Sequence, residues 1–148
     1  MTQRFGDGSM AHWLVKSEPD VFSWDDQKKL GAKGGPWTGV RNYGARLHLL
    51  AMKKGDRAFY YHSNDQRAVV GVVEVTKTAY PDPTDESAKF VCVDVKAKEA
   101  MPTPVTLVAI KAEPKLAGMV LVKNSRLSVQ PVTDAEWALV CAMGGLKG

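Results

Sequence analysis

The stretch Ala68-Val69-Val70-Gly71-Val72-Val73-Glu74-Val75 decides the fold. A near-continuous valine run of this length reads as a central strand buried on both faces. Gly71 has no side chain to pack, so it marks a bulge or a close approach of backbone or ligand. Upstream, residues 57–63 (RAFYYHS) form a second strand by their aromatic content. Ala58, Tyr60 and His62 face one way and Phe59, Tyr61 and Ser63 the other. Asn64-Asp65-Gln66 turns between the two strands. Downstream, residues 80–86 make a polar, proline-bearing loop. Residues 90–96 (FVCVDVK) return to strand, with Asp94 on its solvent face, and Pro102-Thr103-Pro104 breaks the chain.

Further out, residues 11–16 (AHWLVK) form a first strand that ends before Pro19. Ser23 caps a short helix from Trp24, with Asp26 three residues on, lysines at its negative end and Gly31 at C′. Asn42 caps a second helix that reaches Lys54 and stops at Gly55. Tyr43, Leu47, Leu50 and Ala51 form its apolar stripe, and Arg46 lies off that stripe. Thr106 opens a helical turn that Pro114 stops, and residues 116–122 form another short helix. Residues 125–132 form a strand ended by Pro131, and Thr133 with Glu136 has capping-box spacing for a C-terminal helix. Short strands with helices between them predict an α+β single domain, a mixed sheet or small barrel with the valine strands in its core. Trp13, Trp24 and Trp137 belong to that core.

The chain has 148 residues, 45% hydrophobic and 24% charged, which suits one globular domain. Its net charge of +4 is uneven. Between Lys28 and Arg57 there are eight basic residues and one acid, Asp56. Such a field attracts polyanions. Cys92 and Cys141 have no Cys-x-x-Cys spacing and read as buried thiols of a reducing compartment. His12, His48 and His62 lack metal-ligand spacing, so neither a metal nor a cofactor is expected. There is no long apolar run and no signal peptide, which predicts a cytoplasmic protein (nuclear in a eukaryote) without a membrane partner. Residues 1–9 (MTQRFGDGS) read as a tag or disordered leader, and residues 10–148 as the domain.

Function points to Trp37-Thr38-Gly39-Val40-Arg41-Asn42-Tyr43-Gly44-Ala45-Arg46. This segment combines a stacking ring in Trp37, a hydroxyl in Thr38, an amide in Asn42 and guanidinium groups in Arg41 and Arg46. A planar, polar ligand with an anionic backbone uses all three kinds of group, so a nucleotide is the natural candidate. Trp37 follows Gly34-Gly35-Pro36 and has no periodic apolar neighbours. It reads as a functional aromatic on a mobile loop, replaceable by Ala without unfolding the protein. No glycine pattern matches a dinucleotide fingerprint or a phosphate loop. His62 and Ser63 lack a third group that would make a catalytic triad.

Seven blocks also resemble the EVE domain family. They are Trp13-Leu14-Val15-Lys16-Ser17-Glu18-Pro19, the Trp37–Arg46 segment, Lys54-Gly55-Asp56, Phe59-Tyr60-Tyr61-His62-Ser63, Gly71-Val72-Val73-Glu74-Val75, Ala79-Tyr80-Pro81-Asp82 and Ser125-Arg126-Leu127-Ser128-Val129-Gln130-Pro131-Val132. The loop over residues 83–89 is shorter than the family's. The resemblance implies a PUA-like fold, a twisted barrel-like sheet with surrounding helices, related to YTH and ASCH domains. It also implies a reader of modified bases, notably modified cytosines in DNA with RNA as the other target; a monomer is expected. By position, its base pocket would use Lys16, Ser17, Glu18, Trp37, Thr38, Asn42, Tyr61, His62 and Ser63, with Arg41 and Arg46 on phosphates. No residue is assigned a catalytic role. The alternative is a small hydrolase of modified nucleosides, as among ASCH relatives, with Lys16, Thr38 and either Glu74 or Glu18.

Overall fold

The computed structural model describes residues 11–124 and 126–146; the leader expected over residues 1–9 lies outside them. The valine run is the middle of β4 (Ala68–Pro81). It pairs antiparallel with β3 (Arg57–His62) on one side and β5 (Val91–Thr106) on the other. The first strand, β1 (His12–Ser17), lies parallel to β3 and antiparallel to β6 (Val129–Val132). A three-residue β2 (Gly35–Trp37) joins the free side of β5. The described residues thus form one mixed six-stranded sheet in the order β2-β5-β4-β3-β1-β6.

Both faces are covered. Ala58 and Tyr60 of β3 enter one core with Trp13, Val15, Trp24, Trp37 and Val73. Phe59 and Tyr61 enter the other with Leu14, Val69, Val72 and Trp137. The alternation expected along β3 is therefore observed. The first core is closed by α1 (Trp24–Lys29) and α2 (Tyr43–Ala51). The second is closed by α3 (Leu107–Ala112), α4 (Val120–Lys123) and α5 (Asp134–Gly144). Ser23–Asp26 and Thr133–Glu136 both form full capping boxes. No helix among the described residues is long and apolar enough to cross a membrane.

Three strand expectations need correction. β4 continues to Pro81, so the loop begins at Asp82. β5 runs straight through Pro102-Thr103-Pro104 rather than breaking there. The ladder shifts register between its Gly71–Ala100 and Val69–Val105 pairs, and a bulge is where a strand tolerates residues that cannot donate. Pro131 likewise sits inside β6, at the end of the sheet order, where among the described residues no outer strand is left short by its missing N–H.

Gly71 marks the expected bulge, and the close approach to it is made by a side chain rather than by backbone or ligand. The β3–β4 ladder slips a residue beside it, and the Trp24 ring lies over its Cα. A Cβ there would come within 2.5 Å of that ring. Gly71→Ala should destabilise by about 1–3 kcal/mol, read as a lower denaturation midpoint. An unchanged midpoint would show that the Trp24 ring withdraws without cost.

Candidate functional site

α2 packs against β4 and β5 towards one end of the strand order and against β6 at the other. The sheet must curl around the helix for this to happen. The curl brings the end of β1 opposite β2 and leaves a cleft of about 420 Å³ between them. That size falls in the range of roughly 300–1,000 Å³ usual for small-molecule sites.

One wall is the end of β1 and the turn after it: Lys16, Ser17, Glu18, Val21 and Phe22. The Glu18 carbonyl accepts the N–H groups of Val21 and Phe22, each at 2.9 Å, which sets the turn. The Ser17 hydroxyl donates to the Phe22 carbonyl at 2.5 Å and the Tyr60 hydroxyl donates to the same oxygen at 2.8 Å. Two hydroxyls on one carbonyl fix Phe22 in the lining. Burial raises the pKa of the Tyr60 phenol, so it stays a neutral donor. Burial lowers the Lys16 ammonium from its ordinary value. Lys16 also lies 5.9 Å from the centre of the Tyr61 ring.

The facing wall is Pro36, Trp37, Thr38, Gly39, Val40 and Arg41. Trp37 is 7% exposed and meets Tyr60 edge-on at 5.3 Å. This corrects the mobile-loop expectation and, with it, the expectation that Trp37→Ala leaves the fold intact. Gly-Gly-Pro is ordinarily loop punctuation. Here Gly34 takes φ +63°, and its Cα lies so close to β5 that a Cβ would reach the Val95 carbonyl oxygen. That approach lets Gly35, Pro36 and Trp37 pair with Val95, Asp94 and Val93.

Asp82 holds the rest of this wall. Its buried carboxylate accepts from the Gly39 N–H at 2.8 Å and Arg41 Nη1 at 3.2 Å. Its other oxygen accepts from the Thr84 N–H at 2.7 Å and the Thr84 hydroxyl at 2.6 Å. Burial alone would raise its pKa, but these hydrogen bonds outweigh burial and hold it below the usual carboxylate value. Arg41 Nη2 also donates to the Thr84 hydroxyl at 2.8 Å.

Of the residues expected in a base pocket, Lys16, Ser17, Glu18, Trp37 and Thr38 line this cleft, and Arg41 joins them. The others lie elsewhere. The Asn42 side chain caps α2 by accepting the Ala45 N–H at 2.9 Å. Tyr61 faces the opposite core. His62 is buried between the Trp24 N–H, which it accepts at 3.0 Å, and Gln66. Ser63 donates its N–H to the Ser17 carbonyl at 2.9 Å and does not line the cleft. Arg46 lies on α2 and donates from Nε to the Lys89 carbonyl at 2.8 Å.

Sequence reading missed Phe22, Ser128 and Asp82. Ser128 lines the cleft, and its carbonyl accepts the Lys16 N–H at 2.9 Å. The signals were present but silent about roles, since Asp82 closes Ala79-Tyr80-Pro81-Asp82 and Ser128 lies in the last block. Within the described residues, the Thr38 hydroxyl and the Glu18 carboxylate make no hydrogen bond or ion pair, so both can serve a ligand. The cleft thus offers aromatic surface, a hydroxyl, a carboxylate and a cation at close quarters.

A family model of the EVE domain matches residues 11–143. The chain belongs to the EVE domain family. Among solved structures, Rpa0253 from Rhodopseudomonas palustris is 65% identical with a TM-score of 0.87, over 92% of this chain and 94% of that one. Thymocyte nuclear protein 1 of Homo sapiens is 34% identical, over 90% of this chain and 73% of that protein. The crystal structure of human THYN1 protein in complex with 5-methylcytosine containing DNA has a TM-score of 0.84 at 34% identity, covering 93% of this chain and 99% of that one. The curled mixed sheet is the PUA-like architecture that the resemblance implied.

In this EVE domain the two acids weighed for the hydrolase alternative lie apart, and one of them joins Lys16 and Thr38. Glu74 lies beside a separate cleft of about 590 Å³ with His12, Arg57 and Trp137, and it accepts from Lys98 at 3.3 Å. Only Glu18 shares a cleft with Lys16 and Thr38.

Proposed function

We propose that this EVE domain binds nucleic acid carrying a modified base and holds one extruded base between the Lys16–Glu18 wall and Trp37. The observation that carries this is the cleft of about 420 Å³, with Trp37 and Phe22 in its lining and unengaged polar groups on Thr38 and Glu18. An aromatic partner returns roughly 1–3 kcal/mol to a base that costs a few kcal/mol to unstack. The Glu18 carboxylate can accept from the exocyclic amine of a cytosine, and the Thr38 hydroxyl can donate or accept at a base edge. The DNA held by the human relative favours a modified cytosine in DNA, with RNA the second candidate. On this reading the domain works as a monomer without a cofactor.

A base stacked inside a duplex cannot enter a cleft walled by strand ends. Affinity for one modified base should therefore rise about tenfold or more from a paired to a mismatched or single-stranded context. Titration of the three contexts tests this, and tightest binding to the paired duplex would remove the extruded-base reading. The half-buried Lys16 beside Glu18 and Thr38 is what favours hydrolysis as the second reading. Turnover of an N4-acylated cytidine by the wild-type protein, lost in Lys16→Ala, would replace the binding role with that one.

A further inference from the structure

The stripe Tyr43, Leu47 and Leu50 does not enter the core. These side chains are 59%, 62% and 46% exposed. The buried side of α2 is Ala45 and Leu49 instead. The reason is steric. α2 lies inside the curl of the sheet, and its backbone comes so close that a Cβ on Gly44 would meet the Leu127 side chain at 3.3 Å. Gly44 and Ala45 allow that approach, Leu49 fills the space beneath the helix, and Tyr43, Leu47 and Leu50 turn outward. A scattered exposed leucine is ordinary, but three large apolar residues in line on a nine-residue helix form a patch.

The patch is continuous with the cleft. The Tyr43 ring lies against Phe90 with centroids 5.0 Å apart. The Arg41 guanidinium lies 5.7 Å from the Phe90 ring centre, and Arg41 also lines the cleft. The surroundings are cationic. Arg46 flanks the stripe, and Lys53 and Lys54 follow the end of α2. The single acid between Lys28 and Arg57 is Asp56, which is 1% exposed and accepts from Ala11, Trp13 and Lys53. Of the three acids of the neighbouring loop, Asp82 and Asp85 are turned to backbone N–H groups and hydroxyls, Asp82 also to Arg41, and Glu86 alone is exposed. An aromatic and apolar line set among cations matches flat rings on an anionic backbone.

We propose that this face of α2 carries the nucleic-acid strand adjoining the held base. The neighbouring base stacks on Tyr43, and the phosphate beside it pairs with Arg46. The inference rests on the base-holding reading of the cleft and adds a second contact. That contact supplies affinity without reading the modification, because every base has a stackable face.

The test compares two probes: a short single-stranded oligodeoxynucleotide with one 5-methylcytosine, and the free nucleoside 5-methyl-2′-deoxycytidine. Tyr43→Ala should weaken oligonucleotide binding by on the order of tenfold and leave nucleoside binding unchanged. Tyr43→Phe should keep wild-type affinity, and Tyr43→Leu should lose it because the ring is gone. The loss should be equal for methylated and unmethylated oligonucleotides. Unchanged oligonucleotide affinity in Tyr43→Ala, with normal nucleoside binding, overturns the strand contact and leaves the cleft reading standing. A wild-type protein that binds neither probe overturns both. A wild-type dimer that Leu47→Glu converts to monomer would give the face to a second copy instead and overturn the proposal.

Discussion

Trp37→Ala should lower the melting temperature by about 10 °C. Truncating a large buried aromatic side chain costs about 3–5 kcal/mol, and each kcal/mol moves a domain of this size by roughly 2–4 °C. Trp37 is in the first core, edge-on to Tyr60, and its backbone is the last pair of the β2–β5 ladder. The cavity cannot close by collapse, because Tyr60 is itself tied by its hydroxyl to the carbonyls of Phe22 and Ser23. Binding should fall as well, since the same ring lines the cleft. Trp37→Phe separates the two roles. It should recover most of the stability while binding stays weakened, because the smaller ring covers less of a base. A melting temperature within a degree of wild type for Trp37→Ala would mean that the ring contributes nothing to the core.

Asp82→Asn should cost about 2–4 kcal/mol, read by chemical denaturation at neutral pH. Both carboxylate oxygens accept from donors: Gly39 and Arg41 on one, Thr84 on the other. An amide must point its NH₂ at one of these pairs, leaving buried donors facing a donor. The pH dependence gives a second reading. The folded pKa of Asp82 is depressed, so its contribution is present above the unfolded value of about 3.9 and is lost as pH falls through the folded value. The wild type should therefore lose stability in acid more steeply than Asp82→Asn. Asp85, held at about 2 chiefly by the Ser87 hydroxyl, titrates in the same acid window in both proteins and cancels from the comparison. Parallel acid profiles would show that Asp82 carries no differential proton affinity. Binding should weaken in the variant because Gly39 and Arg41 lose their common anchor.

Much of this was legible because local chemistry and the fold agree. Both capping boxes, the Asn42 and Thr106 caps and the alternation along β3 follow from residue type and spacing. The misreadings share a cause, since each depends on what lies across from a residue rather than beside it. The prolines at 102 and 104 look like breakers until β4 supplies a bulge. The Gly-Gly-Pro run looks like a loop until β5 supplies a partner strand. The helix at Tyr43 offers two sides, and the curled sheet buries Ala45 and Leu49 rather than the stripe of Tyr43, Leu47 and Leu50. In the candidate site, Lys16, Ser17 and Glu18 were placed by the family resemblance, and a strand ending before proline agrees with that placement. Asp82 was not, because an aspartate on a proline-bearing loop reads as solvated until Gly39, 43 residues away, donates to it.

β1 has its own consequence in time. The first strand of the chain lies between β3 and β6, which comes from the far end of the sequence. Its parallel pairing with β3 and its antiparallel pairing with β6 both close long loops, which are the slow steps of assembly. Lys16 takes its backbone partner from Ser128, just before β6. During synthesis the cleft therefore cannot form until β6 has emerged. A nascent domain would carry its cationic segment, Lys28 to Arg57, well before the cleft is closed. On the proposed function, base discrimination waits for this closure, and a ligand in the cleft stabilises the joining of β1 to β6.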